Sequence, residues 1–251
     1  MTNVFKRLIN KLLDAIYPKR VKCIICGDEL NTDERNAICP HCYERLPFIS
    51  DKACIRCDMP LAEDDYSQTC FNCKRHNYRY TAVRSVFRYE GNIRACIYKF
   101  KYKHQEFLGE YFSEFLVRRF ARLDWNIDYV LPVPLHTARL KSRGYNQSYV
   151  MAKPFCDKLG LEILDNVTRI KDTPSQTNLG HKERAENVKD AFEIADKSVV
   201  KGKNILIIDD VYTTGATIEA LTELMLDCGA NAVYGLTLAH AIMDKELQKR
   251  D

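Results

Sequence analysis

No run of about 18 apolar residues occurs in this 251-residue chain, which excludes a transmembrane helix. The opening residues, VFKRLINKLLDAIYP, also lack the continuous apolar core of a secretory signal, because Lys6, Arg7 and Lys11 interrupt it. Val4, Phe5, Leu8, Ile9, Leu12, Leu13 and Ile16 instead share one face of an amphipathic helix within residues 1–22. That face suits packing on its own domain or on a membrane or partner surface. The Gly-Lys-Thr of a nucleotide-binding P-loop is missing too. A formal net charge of +4 is modest, so overall charge gives no argument for nucleic acid. What remains is a cytoplasmic protein, with a peripheral position at the inner face of the membrane left open. Its 46% hydrophobic content can bury one sizeable core and add a small second module.

Cysteine, by contrast, is abundant. Eight of eleven cysteines form Cys-x-x-Cys pairs: Cys23 with Cys26, Cys39 with Cys42, Cys54 with Cys57, and Cys70 with Cys73. Such a knuckle turns two thiolates toward one ion, and two knuckles complete a tetrahedral zinc site. Disulfides would need a secretory signal, a redox motif would be a single pair, and iron–sulfur clusters use tighter runs. Two structural zinc ions are therefore expected. The even spacing suggests sequential ribbons, although a cross-braced pairing of the first and third knuckles fits the spacing as well. His41 and His76 are not needed as ligands, and Cys96, Cys156 and Cys228 fall in apolar patterns typical of small core residues.

The segment NILIIDDVYTTGATIEAL from Asn204 to Leu221 carries the other strong signal. Ile205 to Ile208 form an apolar run of the kind buried on both faces of a parallel sheet. Asp209 and Asp210 follow, then Thr213, Thr214, Gly215, Ala216 and Thr217, and from Ile218 the apolar spacing becomes helical, ending at Gly229. A small-residue loop between strand and helix offers backbone N–H groups to phosphate, and the acids can accept hydrogen bonds from ribose hydroxyls. A receiver domain also pairs acids at such a corner, but has no need of Thr-Thr-Gly-x-Thr directly after them.

IIDDVYTTGAT resembles the 5-phosphoribosyl 1-pyrophosphate motif of type I phosphoribosyltransferases. The resemblance implies that Asp209 and Asp210 hold the ribose 2- and 3-hydroxyls while Thr213 through Thr217 wrap the 5-phosphate, with Mg²⁺ accompanying the pyrophosphate. A double zinc ribbon ahead of such a domain resembles the ComF (ComFC) family of competence proteins. PVPLHTARLKSRGYNQS from Pro132 to Ser148 and TPSQTNLGHKERAENVKDAF from Thr173 to Phe192 also match that family. The likeness runs from Cys23 to about Ala239. It implies a role in natural transformation, with imported single-stranded DNA and other DNA-uptake proteins as partners. The alternative is an active phosphoribosyltransferase that transfers ribose 5-phosphate to a nitrogen acceptor, but no segment identifies that acceptor.

In this fold the loop after a strand at Tyr129 to Val133 faces pyrophosphate, which places His136, Arg139, Lys141 and Arg143 as candidate donors; an exposed surface or a nucleic-acid contact explains them equally. Thr173 to Lys189 resembles the loop that closes over the site, bringing Arg184 and Asn187. Tyr145 to Leu159 reads as a helix with Pro154 inside it.

Residues 74–103 concentrate charge. They hold nine Lys or Arg and one acid, Glu90, with seven interleaved aromatics. Cations that follow a backbone and rings that stack on bases suit single-stranded DNA, which nominates Arg79, Arg94, Lys99, Lys101 and Tyr102. The alternation from Val83 to Tyr89 supports the competing reading, with the rings in a core and the cations solvated. The expected architecture is an α/β fold: a mostly parallel, phosphoribosyltransferase-like sheet with flanking helices (residues 79–245). It is preceded by a small N-terminal double zinc-ribbon module (23–78) and the amphipathic helix (1–22).

Overall fold

Apolar runs and helical spacing become strands and helices in a computed structural model that describes residues 22–30, 37–171 and 190–242. The strands are β1 (Ala82–Arg88), β2 (Tyr129–Pro132), β3 (Glu162–Ile163), β4 (Val167–Arg169), β5 (Phe192–Ile194), β6 (Asn204–Tyr212) and β7 (Ala232–His240). The helices are α1 (Pro40–Tyr43), α2 (Phe71–Arg75), α3 (Gly91–Tyr102), α4 (Leu108–Phe120), α5 (Thr137–Arg143), α6 (Gln147–Leu159) and α7 (Ala216–Asp227). The amphipathic N-terminal segment and the closing-loop segment with Arg184 and Asn187 lie outside the described residues.

Five strands form a parallel sheet in the order β1-β7-β6-β2-β3. Ile205 to Ile208 occupy its centre, fully buried, each contributing about 1.5–3 kcal/mol by leaving water. Ile205 and Ile207 pack in one core with Ile218, Leu221 and Met225 of α7. Leu206 and Ile208 alternate to the opposite face, where α6 packs on β2 and β6 and against α4. Helices therefore flank the sheet. β4 and β5 form a separate antiparallel pair.

The connection from β2 leads outward to β3, whereas β6 lies on the other side of β2 and leads away to β7. The gap between the carboxyl ends of β2 and β6 is thus a topological switch point, where ligands bind in open α/β sheets. The register widens it. Pro132 pairs with Ile208 and β2 stops, while β6 continues through Tyr212, paired on its far side with β7 as far as His240. Asp209 and Asp210 therefore lie within the strand rather than after it, beyond the end of β2. The helix that follows starts at Ala216, two residues before its apolar spacing becomes readable.

The chain divides into two compact units, Met1–Leu46 and Pro47–Asp251. The boundary expected after Tyr78 falls inside the second unit, because Cys54, Cys57, Met59 and Cys70 share a core with Tyr80, Val83, Tyr212 and Ile218. In the first unit, Cys23, Leu30, Ala37, Ile38, Cys42 and Leu46 are each buried.

Candidate functional site

At the end of β6 the two carboxylates have different neighbours. Asp209 Oδ1 accepts hydrogen bonds from Ser148 Oγ at 3.1 Å and from the Asp210 backbone N–H at 2.9 Å. Asp210 is buried and pairs with Lys101 Nζ of α3 at 2.7 Å. Burial, reinforced by the adjacent Asp210 charge, pushes the Asp209 carboxyl up to about 7. Burial alone would lower the Lys101 ammonium, but the Asp210 carboxylate, with a smaller contribution from Asp209, more than offsets it and holds it above the usual lysine value.

Next comes the loop. Gly215 adopts a left-handed φ of 80° at the start of α7, and a Cβ there would stand 2.5 Å from Tyr212 Oη, so only glycine fits. Tyr212 is buried, its phenol raised well above the usual value by burial, and it shares a hydrogen bond of 2.9 Å with Tyr80 Oη. Tyr78 Oη donates to the Thr214 carbonyl at 3.0 Å. The back of the loop is therefore closed by tyrosines, while its backbone and the start of α7 remain available to an anion.

These parts line a cavity of about 1190 Å³. Asp209, Asp210, Thr213, Gly215, Ala216 and Thr217 border it; Thr214 is buried beneath. Arg139 and Arg143 line it as expected, and Arg143 Nη1 also donates to Gln147 Oε1 at 3.0 Å. His136 does not line it. Its Nδ1 accepts the Ala138 N–H at 3.3 Å as the cap of α5.

The residues proposed for nucleic acid turn out to share the same cavity. Arg94, Lys99, Lys101 and Tyr102 line it from α3, together with Tyr89 and Tyr98. Arg79 does not: it pairs with Asp227 at 2.7 Å on α7. Part of the basic–aromatic segment serves the core, as the alternation suggested, since Tyr80, Phe87 and Phe100 are fully buried. Sequence reasoning missed Ser148 and Tyr78 as site residues. Ser148 had a readable signal: Asn146 caps α6 by accepting the Ser148 N–H at 3.0 Å and donates to the Val133 carbonyl at 3.0 Å, which fixes the start of α6 beside β6. Tyr78 carried no local signal, because its partner is remote in sequence.

Among the described residues, two groups can hold a metal: Cys23, Cys26, Cys39 and Cys42, and Cys54, Cys57, Cys70 and Cys73. The sulfurs in each group lie within 4.8 Å of one another, which settles the pairing as sequential. Cys26 Sγ and Cys39 Sγ are 3.7 Å apart, Cys57 Sγ and Cys70 Sγ 3.6 Å. Four sulfurs at the usual zinc distance of about 2.3 Å form a tetrahedron with edges of about 3.8 Å, so both sites fit zinc. Hydrogen bonds from Cys57, Cys70 and Cys73 hold the Cys54 thiol well below its ordinary value, while the contact with Cys54 pushes Cys57 well above its own. The four thiols of the second cluster are thus strongly interdependent, and a divalent ion would favour the thiolate form of all four.

Family models match both parts: the double zinc ribbon domain over residues 12–74 and the phosphoribosyl transferase domain over residues 110–250. The chain belongs to the ComF family, and its larger part is a phosphoribosyl transferase domain. Competence protein F of Haemophilus influenzae is 27% identical over 227 residues, covering 88% of this chain and 97% of that protein. Competence protein ComFC of Streptococcus pneumoniae is 25% identical over 232 residues, 87% of this chain and 99% of its own. DNA utilization protein YhgH of Salmonella typhimurium is 28% identical over 186 residues, 72% and 80% respectively. As a ComF protein the chain combines two structural zinc ribbons with a phosphoribosyltransferase-type sheet.

Proposed function

We propose that this protein is a competence-type factor that handles single-stranded DNA and binds 5-phosphoribosyl 1-pyrophosphate at the β6–α7 corner. The observation that carries the reading is the meeting, in one cavity, of the Asp209–Asp210 pair, the Thr213–Thr217 loop and the basic, aromatic face of α3. The names of its relatives supply the competence context.

The residues have distinct tasks. The loop and the first N–H groups of α7 receive the 5-phosphate. Asp209, oriented by Ser148, accepts a sugar hydroxyl, and Asp210 does so once Lys101 yields or turns its ammonium toward the ligand's phosphates. Arg139 and Arg143 attract the pyrophosphate. Asp209 and Asp210 are also the residues that would hold Mg²⁺ against the ribose hydroxyls; when bound, the ion neutralises the pyrophosphate. In this division of labour the first cysteine tetrad serves a separate ribbon unit, and the second, packed with Tyr80 and Tyr212, supports the phosphoribosyl module. DNA-uptake proteins are the natural partners of such a factor.

Calorimetric titration of the full chain with phosphoribosyl pyrophosphate and Mg²⁺ tests the pocket. Asp209→Asn combined with Asp210→Asn should weaken binding by about 100-fold or more, since hydrogen bonds to charged groups contribute about 1.5–3 kcal/mol each and two are altered. Unchanged affinity in that double variant would remove the pocket from the reading. Fluorescence anisotropy with a single-stranded oligonucleotide tests the DNA part. Affinity should fall steeply with salt as counterions are released.

A further inference from the structure

The cavity is larger than a sugar phosphate needs. Its volume of about 1190 Å³ exceeds the roughly 300–1,000 Å³ of ordinary small-ligand pockets. Its α3 wall is built from one helical face: Gly91, Arg94, Ala95, Tyr98 and Tyr102 follow helical spacing and all line the cavity, whereas Ile93, Cys96, Ile97 and Phe100 on the other face are buried. Tyr98 and Tyr102 are about half exposed, at 52% and 47%, with ring centroids 5.1 Å apart. The Arg143 guanidinium lies over the Tyr102 ring at 5.2 Å. A pair of open rings with a cation stacked beside them is a platform for bases.

Three features define what would lie on that platform. The phosphate loop is blind, because Thr214 is buried and Tyr78 and Tyr212 close its back, so a strand cannot pass through and must end there. A terminal phosphate carries nearly two negative charges at neutral pH against one for an internal diester, which suits a loop that leads into a helix N-terminus. Finally, Lys101 pairs with Asp210, so one of the two carboxylates expected to take ribose hydroxyls is already engaged. The same ammonium offers a cation for the next phosphate along a chain.

We propose that the cavity holds the 5′-phosphorylated end of a single DNA strand, with the terminal phosphate in the Thr213–Thr217 loop and the first bases on Tyr98 and Tyr102. The inference rests on the phosphoribosyl and single-strand reading above and joins its two halves: the sugar-phosphate pocket and the strand-binding surface are one site. Deoxyribose fits better than ribose, since it has one hydroxyl fewer to satisfy where Asp210 is held by Lys101.

The test uses the full chain and four short fluorescent oligonucleotides of one sequence: DNA with a 5′-phosphate, a 5′-hydroxyl or only a 3′-phosphate, and RNA with a 5′-phosphate. Phosphoribosyl pyrophosphate serves as competitor and is titrated separately. The 5′-phosphorylated DNA should bind about tenfold more tightly than the other two DNAs, and phosphoribosyl pyrophosphate should displace it. Tyr98→Ala with Tyr102→Ala, both on the exposed face of α3, should weaken the 5′-phosphorylated DNA about tenfold or more and phosphoribosyl pyrophosphate severalfold less, because its only tie to these rings is Arg143 over Tyr102; equal losses for the two ligands would remove the bases from the platform. If both ligands bind yet do not compete, or the three DNAs bind equally, the inference falls and the separate readings of pocket and strand stand. RNA binding more tightly than DNA overturns the preference for deoxyribose. Failure of phosphoribosyl pyrophosphate to bind at all would overturn the pocket assignment together with this inference.

Discussion

Two cysteine tetrads of nearly equal spacing are used in two different ways. In the first, Gly27 makes the turn after the knuckle with a left-handed φ of 83°, nothing stands within 4 Å of where its Cβ would be, and Cys26 is exposed. In the second, the equivalent turn is made by Asp58 at φ 65°. Its buried carboxylate accepts from Arg119 Nη2 and from the Ser85 N–H, each at 2.8 Å, and lies 3.6 Å from Arg84 Nε. Arg84 also donates to the Ile55 carbonyl, and Arg56 donates to the carbonyls of Tyr78 and Tyr80. One ribbon is therefore a small unit in its own right, whereas the other is fastened to the sheet by ion pairs and a shared core. A zinc knuckle can thus be either a module or a wall of its neighbour, depending on whether its turn residue and its cysteines are packed against that neighbour.

The largest expected contrast is between Cys57→Ser and Cys26→Ser. Trp125, the one tryptophan in the chain, packs at a tilt on Tyr234 with ring centroids 4.6 Å apart and Arg84 over it at 6.0 Å, so its fluorescence reports on the second unit. Cys57→Ser should abolish or strongly lower the unfolding transition seen through Trp125, and Cys26→Ser should leave it in place. Equal losses in the two variants would break the distinction between module and wall.

A smaller contrast comes from the turn residues. Asp58→Ala should cost about 3–5 kcal/mol by leaving the Arg119 and Arg84 charges poorly compensated. Gly27→Ala should cost only about 1 kcal/mol, the strain of a positive φ without a clash. Chemical denaturation followed through Trp125 checks the first, and zinc retention at Cys23, Cys26, Cys39 and Cys42 checks the second.

The link from the second ribbon to the phosphate loop is finer. Tyr78→Phe removes the hydrogen bond to the Thr214 carbonyl, and about 1 kcal/mol lost there corresponds to roughly fivefold weaker binding of a phosphoribosyl ligand. The global unfolding midpoint should hardly move. If affinity is unaltered, the ribbon supports the sheet without supporting the loop.

The smallest effect concerns Asp209. Its carboxyl is raised to about 7 in the folded protein, so folding favours the protonated form. The associated stability is present below the ordinary carboxylate value and is lost as pH rises toward 7. Asp209→Asn should therefore raise the thermal midpoint relative to the parent more at pH 8 than at pH 5.5. Loss of part of the hydrogen bonding from Ser148 and the Asp210 N–H limits the gain. A difference that shrinks with pH would contradict the buried-acid picture.

Much of this was legible before any coordinates. The eight cysteines announce their chemistry through spacing, and the run into Asp209 and Asp210 announces a central parallel strand, because local patterns encode both. What stayed hidden depends on contacts between remote positions. Nothing near Lys101 indicates that it will pair with Asp210, so the basic segment read as a surface separate from the pocket, whereas charge reversal at Lys101 would strike both. Arg79 read as a DNA contact although its partner is Asp227 on another element. The choice between sequential and cross-braced cysteines, and the absorption of the second tetrad into the larger unit, likewise rest on packing rather than spacing. The short strands β3, β4 and β5 left too few residues for alternation to show.

The unequal lengths of β2 and β6 carry a cost that the protein keeps. Among the described residues, no strand lies beside one edge of β6 from Asp209 to Tyr212, although the sheet could have continued there with further ladder bonds. A lengthened β2 would give a more regular and more stable sheet, and would close the notch in which both carboxylates stand. The binding place exists because a strand ends early. Selection for stability alone would tend to fill that notch, so the shortness of β2 marks where usefulness has been kept ahead of robustness.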